Sequence, residues 1–74
     1  MSNVYKKIEL VGSSRDSIED AIRGAIRKAS MTTRHLDWFE VDEIRGWIRD
    51  GEPQHYQVTL RVGFRIEDDA APEE

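Results

Sequence analysis

The last third of the chain alternates apolar and polar residues, and this pattern constrains the fold more than any other feature. From His55 to Ile66, every second side chain is apolar and most of those between are polar or charged. Successive side chains of a β-strand point to opposite faces of a sheet, so the segment predicts a strand with one buried face. The apolar face consists of Tyr56, Val58, Leu60, Val62, Phe64 and Ile66.

A single helix is predicted to cover that face. Between Arg15 and about Thr33, apolar residues recur at three- and four-residue spacing, which places them on one stripe of an α-helix. Gly12 is expected to interrupt the preceding strand, and Ser14 is the expected N-cap because its hydroxyl can accept a free backbone N–H. The stripe consists of Ile18, Ala21, Ile22, Ala25, Ile26 and Ala29.

Two further strands complete the predicted subunit. Residues Val4 to Val11 alternate with period two, and a second strand is expected from Leu36 to Ile48. Asp50-Gly51 predicts a hairpin before the last strand, because a type I′ turn requires positive φ at both central residues. The parity of apolar positions changes within the middle strand, which predicts a β-bulge near Asp42-Glu43. The predicted class is α+β, a β-α-β-β unit with one sheet packed on one helix.

Length and cysteine content indicate that the fold needs additional support. The chain has 74 residues and no cysteine. A chain of this length buries only roughly 60% of the surface that its unfolded form exposes. Oligomerisation or a bound ligand is therefore the expected further source of stability. The absence of cysteine excludes thiol catalysis and cysteine-based zinc sites, and it fits a reducing compartment.

Charge and hydropathy narrow the range of partners. The net charge of −4 disfavours binding to a phosphate backbone, and no stretch approaches the ~20 apolar residues of a membrane span. The N-terminus has no apolar run of signal-peptide length, so we expect a cytoplasmic protein without nucleic-acid or membrane partners. Acidic residues crowd the C-terminus, which predicts one domain over residues 1–68 and a disordered acidic tail over residues 69–74.

Trp38 is the residue that most suggests a binding site. It precedes Phe39, which is expected to face the helix, so the pleat sends Trp38 to the opposite face of the sheet. By the same alternation, Gln57, Arg61 and Arg65 emerge on that face. An indole stacks on planar heterocycles, a carboxamide pairs with a ring edge, and a guanidinium binds phosphate in a forked geometry. A subunit contact is the alternative and more common role for such a tryptophan.

Four segments of the chain together resemble one known family. The sequence resembles dodecin, a family of small flavin-binding proteins, over residues 3–68 without an obvious gap. The resemblance implies a three-stranded antiparallel sheet curved around the helix. It also implies assembly into a hollow homododecamer whose two-fold axes hold pairs of stacked flavins. The segments are Val4–Ser14, Ser17–Ile22, Leu36–Val41 and His55–Arg65.

The resemblance also implies roles for particular residues. Trp38 corresponds to the tryptophan that stacks on the flavin, and Gln57 to the glutamine that hydrogen-bonds the edge of the isoalloxazine. Arg45 stands at a position where arginine is typical of bacterial members, which implies that the protein binds FMN along with riboflavin. Arg65 is a further candidate for flavin binding. Coenzyme A is a second implied ligand, for which the candidate residues are Lys6, Lys28 and Arg34, together with Arg65.

The chain departs from the family pattern at Trp47, which is bulkier than expected at that position. From its place beside the hairpin we interpret Trp47 as a packing residue that alters access to the flavin. His35 and His55 are the only histidines, and no metal site is assigned to them. No nucleophile-base pair and no glycine-rich phosphate loop stands out, so we do not expect an enzyme.

Three functional classes remain. The first is flavin storage and sequestration, in which the indole of Trp38 quenches flavin photochemistry by donating an electron. The second is an electron-transfer flavoprotein, which needs space for a substrate beside the flavin. The third is a flavin-free oligomeric scaffold in which Trp38 is only a subunit contact. Trp38 together with Gln57 favours the first.

Overall fold

A computed structural model describes residues 3–66 of the chain. The elements are β1 (Tyr5–Ser14), α1 (Ile18–Ala29), β2 (Leu36–Arg49) and β3 (Glu52–Arg65). β3 is the central strand and pairs antiparallel with both β1 and β2. The predicted α+β class, the order of elements and the three-stranded antiparallel sheet are thus confirmed. The predicted domain end at residue 68 and the acidic tail over residues 69–74 lie outside the described residues.

The core lies between the helix and the inner face of β3. Val58, Leu60 and Val62 are buried there, as the alternation predicts, and they pack against buried Ala21 of the helix. Ile66 was predicted to extend this face, which is wrong, because β3 ends at Arg65 and Ile66 is exposed. Partly buried side chains surround the core: Ile8, Leu10, Ile18, Ile22, Ala25, Ile26 and Leu36.

Gly12 does not interrupt β1, contrary to the sequence prediction. It pairs with Val58, and β1 continues to Ser14. A Cβ at Gly12 would lie 3.0 Å from the Cβ of Ala25 and would collide with the carbonyl oxygen of Ala21. The missing side chain therefore lets the helix pack close against the strand. Glycine here reflects a tertiary contact rather than a strand end.

The helix begins three residues later than predicted, because Ser14 is not its N-cap. Its N-cap is Ser17, whose side chain accepts a hydrogen bond from the Asp20 backbone N–H at 3.0 Å. The Ser14 hydroxyl instead shapes the turn before the helix: it accepts from the Asp16 N–H at 2.9 Å and donates to Asp20 Oδ2 at 2.8 Å. At its other end the helix stops at Ala29 rather than near residue 33.

The hairpin between β2 and β3 is as tight as predicted. Asp50 and Gly51 have φ of 54° and 77°, as a type I′ turn requires, and Arg49 pairs with Glu52 across it. β3 accordingly begins three residues earlier than predicted, at Glu52. The predicted bulge is confirmed by the register shift between Val41 and Glu43, and two further shifts occur near the ends of β2.

The helix does not cover β2. It packs against β1 and β3, so the inner face of β2 remains largely open. Phe39, which the sequence assigns to the helix-facing side, does pair with buried Val62 but is 48% exposed. Val41 and Ile44 on the same face are 40% and 53% exposed. The subunit therefore presents an apolar strip that its own helix leaves uncovered. In the described part of the chain, no helix has the length and apolar character needed to cross a membrane.

The turn geometry leads to a prediction for Gly51. A Cβ at Gly51 would meet no atom within 4 Å, so a substitution there acts through the backbone alone. We expect Gly51→Val to lower the free energy of unfolding by on the order of 1 kcal/mol per subunit, because a β-branched residue is strained at positive φ. Thermal or denaturant unfolding measures the change.

A matched control is Gly24→Ala. Gly24 lies within α1 and also has open space around its Cβ position, but its conformation is helical. Alanine should therefore stabilise the protein by about 0.5–1 kcal/mol. Equal effects of the two substitutions on unfolding would contradict the assigned turn.

Candidate ligand-binding site

Trp38 lies on the outer face of the sheet, away from the helix. Its partner on β3 is Gly63, whereas its neighbour Phe39 pairs with Val62 on the inner face. The indole is 40% exposed. The alternation of strand residues therefore places Trp38 as the sequence predicts, and a large aromatic surface remains available on a face that carries no helix.

Gly63 forms the floor on which the indole rests. A Cβ at this position would lie 2.6 Å from Cη2 of Trp38 and still closer to Cζ2 and Cε2. Real side chains do not tolerate such contacts, so the benzenoid ring lies directly over the glycine Cα. Sequence reasoning missed this role. The available signal was a glycine inside an otherwise strong central strand, on the face assigned to the tryptophan.

Lys7 flanks the same indole from β1. Lys7 pairs with Gly63 on the side opposite Trp38, and its Nζ lies 5.6 Å from the centroid of the indole ring. The ammonium is held by Glu40, with Nζ and Oε2 2.5 Å apart. Both side chains are nearly half exposed, so the ion pair adds little stability. It contributes instead to fixing the indole against the sheet.

Gln57 and Arg45 form a second cluster at a distance from Trp38. They are partners across β2 and β3, and Arg45 Nη2 lies 3.4 Å from Glu43 Oε2. Gln57 is six residues from Gly63 along β3, which corresponds to about 20 Å at the usual strand rise. The structure thus brings Gln57 and Arg45 together but does not bring either of them to the Trp38 of the same chain.

Arg65 belongs to the Trp38 end of the sheet. It follows Gly63 by two residues, and its Nη2 lies 3.5 Å from Nδ1 of His35. Arg61, which the sequence also places on this face, is paired with Asp42, with Nε and Oδ2 2.8 Å apart. Arg65 is therefore the arginine nearest to Trp38 along β3 whose guanidinium is not held by a carboxylate within residues 3–66.

The candidate residues for coenzyme A do not all come together. Lys6, Arg34 and Arg65 line one open pocket of about 490 Å³ at the end of the sheet, beside Thr32 and Thr33. Lys28 lines a different, mainly apolar groove with Leu10, Val11 and Ala25. Three of the four predicted residues thus share a basic pocket, and Lys28 does not belong to it.

The chain is similar to known proteins over most of its length. The family model described as Dodecin matches residues 4–67. The dodecin of Thermus thermophilus is 56% identical over 68 residues, which cover 92% of this chain and 99% of that protein. The structure of dodecin from Streptomyces davaonensis is 44% identical, with a TM-score of 0.84, and the match covers 92% of this chain and 100% of that one.

A more distant structure concerns metal binding. Calcium dodecin from Mycobacterium tuberculosis, described as calcium chelating, is 26% identical with a TM-score of 0.74, and the match covers 95% of this chain and 99% of that one. Within residues 3–66 of the present chain, no group of three or more His, Cys, Asp and Glu side chains is arranged to hold a metal ion. Taken together, the family match and the identity to curated and solved relatives show that this chain belongs to the dodecin family.

Proposed function

We propose that the protein binds FMN or riboflavin and stores it in a sequestered form. The observation that supports this most directly is the indole of Trp38, seated on Gly63 and flanked by Lys7, with 40% of its surface exposed. A fixed, flat and accessible indole is a good platform for a planar heterocycle such as isoalloxazine. Family membership supports the same choice of ligand.

The separation of the two clusters supports a site shared between subunits. Trp38 with Arg65 and Gln57 with Arg45 lie about 20 Å apart along a rigid strand, too far to contact one isoalloxazine. If each flavin contacts Trp38 of one subunit and Gln57 of another, both clusters are used. A two-fold axis then generates two equivalent sites. We propose that the complete assembly is the closed homododecamer that the family resemblance implies.

The open inner face of β2 supports association of subunits on physical grounds. Phe39, Val41 and Ile44 form an exposed apolar strip, and a chain of 74 residues needs additional buried surface. Covering this strip with a neighbouring subunit removes apolar area from water, which stabilises the assembly by about 25 cal/mol per Å² of buried area. The same association brings separate outer faces into reach of each other.

The proposed consequence of binding is protection from flavin photochemistry. An indole in van der Waals contact with excited isoalloxazine can donate an electron to it, and return of the electron restores the ground state. A flavin enclosed between two tryptophans has little space beside it for a substrate. Binding without catalysis therefore fits the site better than an electron-transfer enzyme does. The basic pocket of Lys6, Arg34 and Arg65 is the proposed location for the anionic groups of coenzyme A.

Assembly is tested by mass. We expect native mass spectrometry and light scattering to show a particle of twelve subunits, because the site and the apolar strip both require neighbours. The monomer has a mass of 8.6 kDa. A stable monomer at micromolar concentration that still binds flavin would contradict the shared site.

Trp38→Ala and Gln57→Ala separate stacking from edge recognition. Stacking on an aromatic ring is worth roughly 1–3 kcal/mol per contact, so Trp38→Ala should weaken flavin binding by about tenfold or more and reduce quenching. Gln57→Ala removes one hydrogen bond worth about 0.5–1.5 kcal/mol and should leave quenching in the bound state intact. Titration of riboflavin and FMN by fluorescence measures both effects. Unchanged binding and quenching by an assembled Trp38→Ala variant would show that the site is elsewhere.

Gly63→Ala tests whether the glycine floor positions the indole. The added methyl group must displace the ring, so we expect flavin affinity to fall by about tenfold, close to the loss in Trp38→Ala. In the Trp38→Ala background, the same glycine substitution should not weaken flavin binding further. This result separates positioning of the indole from a general loss of stability. Full quenching and parental affinity in assembled Gly63→Ala would contradict the role of Gly63.

A further inference from the structure

The basic pocket lies at the end of the sheet opposite the hairpin. Lys6, Arg34 and Arg65 line it, and within residues 3–66 no side chain with a carboxylate does. Lys6 is exposed and forms no ion pair in that part of the chain. The guanidinium of Arg65 lies 3.5 Å from Nδ1 of His35, and no carboxylate of the same residues holds it. Cations arranged in this way favour an anionic occupant.

The described part of the chain ends at the wall of this pocket. Ile66 lines the pocket, and its backbone N–H donates to the carbonyl oxygen of Val4 at 2.9 Å. Phe64, which also lines the pocket, is the strand partner of Lys6. The hydrogen bond to Val4 thus fixes Ile66 beside the start of β1, close to Lys6. The chain after residue 66 therefore starts from the pocket itself.

The sequence that follows has the opposite charge to the pocket. Residues 67–74 contain five carboxylates and no lysine or arginine, whereas the rest of the chain is close to neutral. Eight residues span up to about 26 Å when extended, which is more than the width of a pocket of about 490 Å³. Both the charge and the length of this segment therefore suit the pocket. The acidic residues are Glu67, Asp68, Asp69, Glu73 and Glu74.

We propose that the basic pocket is the docking site of the acidic C-terminal segment of the same chain, residues 67–74, whose carboxylates lie against Lys6 and Arg65. The covalent link makes docking intramolecular, so the segment is present at a high effective concentration and competes with free anions. The docked segment closes the pocket to other anions, and salt releases it because exposed charges are screened. The inference depends on the charge of the pocket and not on flavin binding.

Carbodiimide crosslinking of the full-length, assembled protein tests the contact, because the reagent joins an ammonium to a carboxylate that touches it. At low salt we expect peptide mass spectrometry to find Lys6 linked to carboxylates of residues 69–74. The yield should fall by about threefold or more in about 0.5 M sodium chloride. Lys7 and Glu40 are paired in the structure, so their link is the internal control for the reagent and the fold. Formation of that link without any link from Lys6 would overturn the proposal.

Lys28 is the matched lysine for this experiment. It is exposed and lines a groove that shares Thr32 with the basic pocket, so a segment without a docking site would reach both lysines. We expect Lys28 to link to residues 69–74 about threefold less than Lys6 or weaker, because only the basic pocket concentrates the segment. Equal linking of the two lysines would contradict docking in the pocket.

The contribution of the second cation is measured with Arg65→Gln, which leaves Lys6 in place as the reporter. We expect the yield of the Lys6 link to fall by about threefold or more, because the pocket loses a charge that holds the segment. Arg27→Gln removes the same charge from the exposed side of α1 and should leave the yield at the parental level. An unchanged yield in assembled Arg65→Gln protein, or an equal fall in Arg27→Gln, would contradict the assigned contact.

Inorganic pyrophosphate tests whether the segment excludes other anions. Glu73→Gln with Glu74→Gln should raise the affinity for pyrophosphate, measured by calorimetry, by about threefold or more, because the pocket is open in a larger fraction of molecules. Asp16→Asn with Glu52→Gln removes the same charge near the hairpin, beyond the range of screened electrostatics, and should leave the affinity unchanged. No gain in the first variant, or an equal gain in the second, would overturn the competition.

Discussion

The pairing of β3 with strands on both sides is the constraint on which the rest of the subunit depends. Because β3 is central, its inner side chains are sealed under the helix, and alternation forces the others onto the outer face. Its register then aligns Lys7, Gly63 and Trp38 in one row across three strands. Because Val62 is buried on the inner face, its neighbour Gly63 lies on the outer face. The exposed indole of Trp38, which pairs with Gly63, is therefore placed on the outer face as well.

A central strand is also rigid, and this rigidity determines what one subunit can do alone. Six strand residues separate Gly63 from Gln57, and no side-chain rotation closes a gap of about 20 Å. The residues that the family resemblance assigns to one flavin are thus divided between the two ends of the sheet. Under the proposed assignment, association is a requirement of flavin binding and not only a source of stability, and the uncovered strip on β2 supplies a surface for it.

Much of the fold was predictable from sequence because its signals are local. The alternation of β3, the Asp50-Gly51 turn and the parity change at the bulge each need only neighbouring residues to be recognised. The roles of Gly12 and Gly63 could not be predicted in this way, because each glycine makes room for a part of the chain that is distant in sequence. Gly12 makes room for the helix, and Gly63 makes room for an indole. The alternation predicts which face of the sheet carries Trp38 and Gln57. The distance between them depends on the register of β2 with β3, which β-bulges shift along β2.

The distribution of ion pairs on the outer face explains why its two ends differ from its middle. On this face Arg61 and Arg45 are each paired with a nearby carboxylate, so these two arginines attract anions weakly. Each end instead combines an exposed indole with arginine that no carboxylate holds within residues 3–66: Trp38 with Arg65, and Trp47 with Arg15 and Arg49. Stacking supplies affinity for a ring, and an unpaired guanidinium adds affinity for phosphate. The register of one strand therefore determines where an exposed indole and an arginine without a carboxylate partner meet on this face.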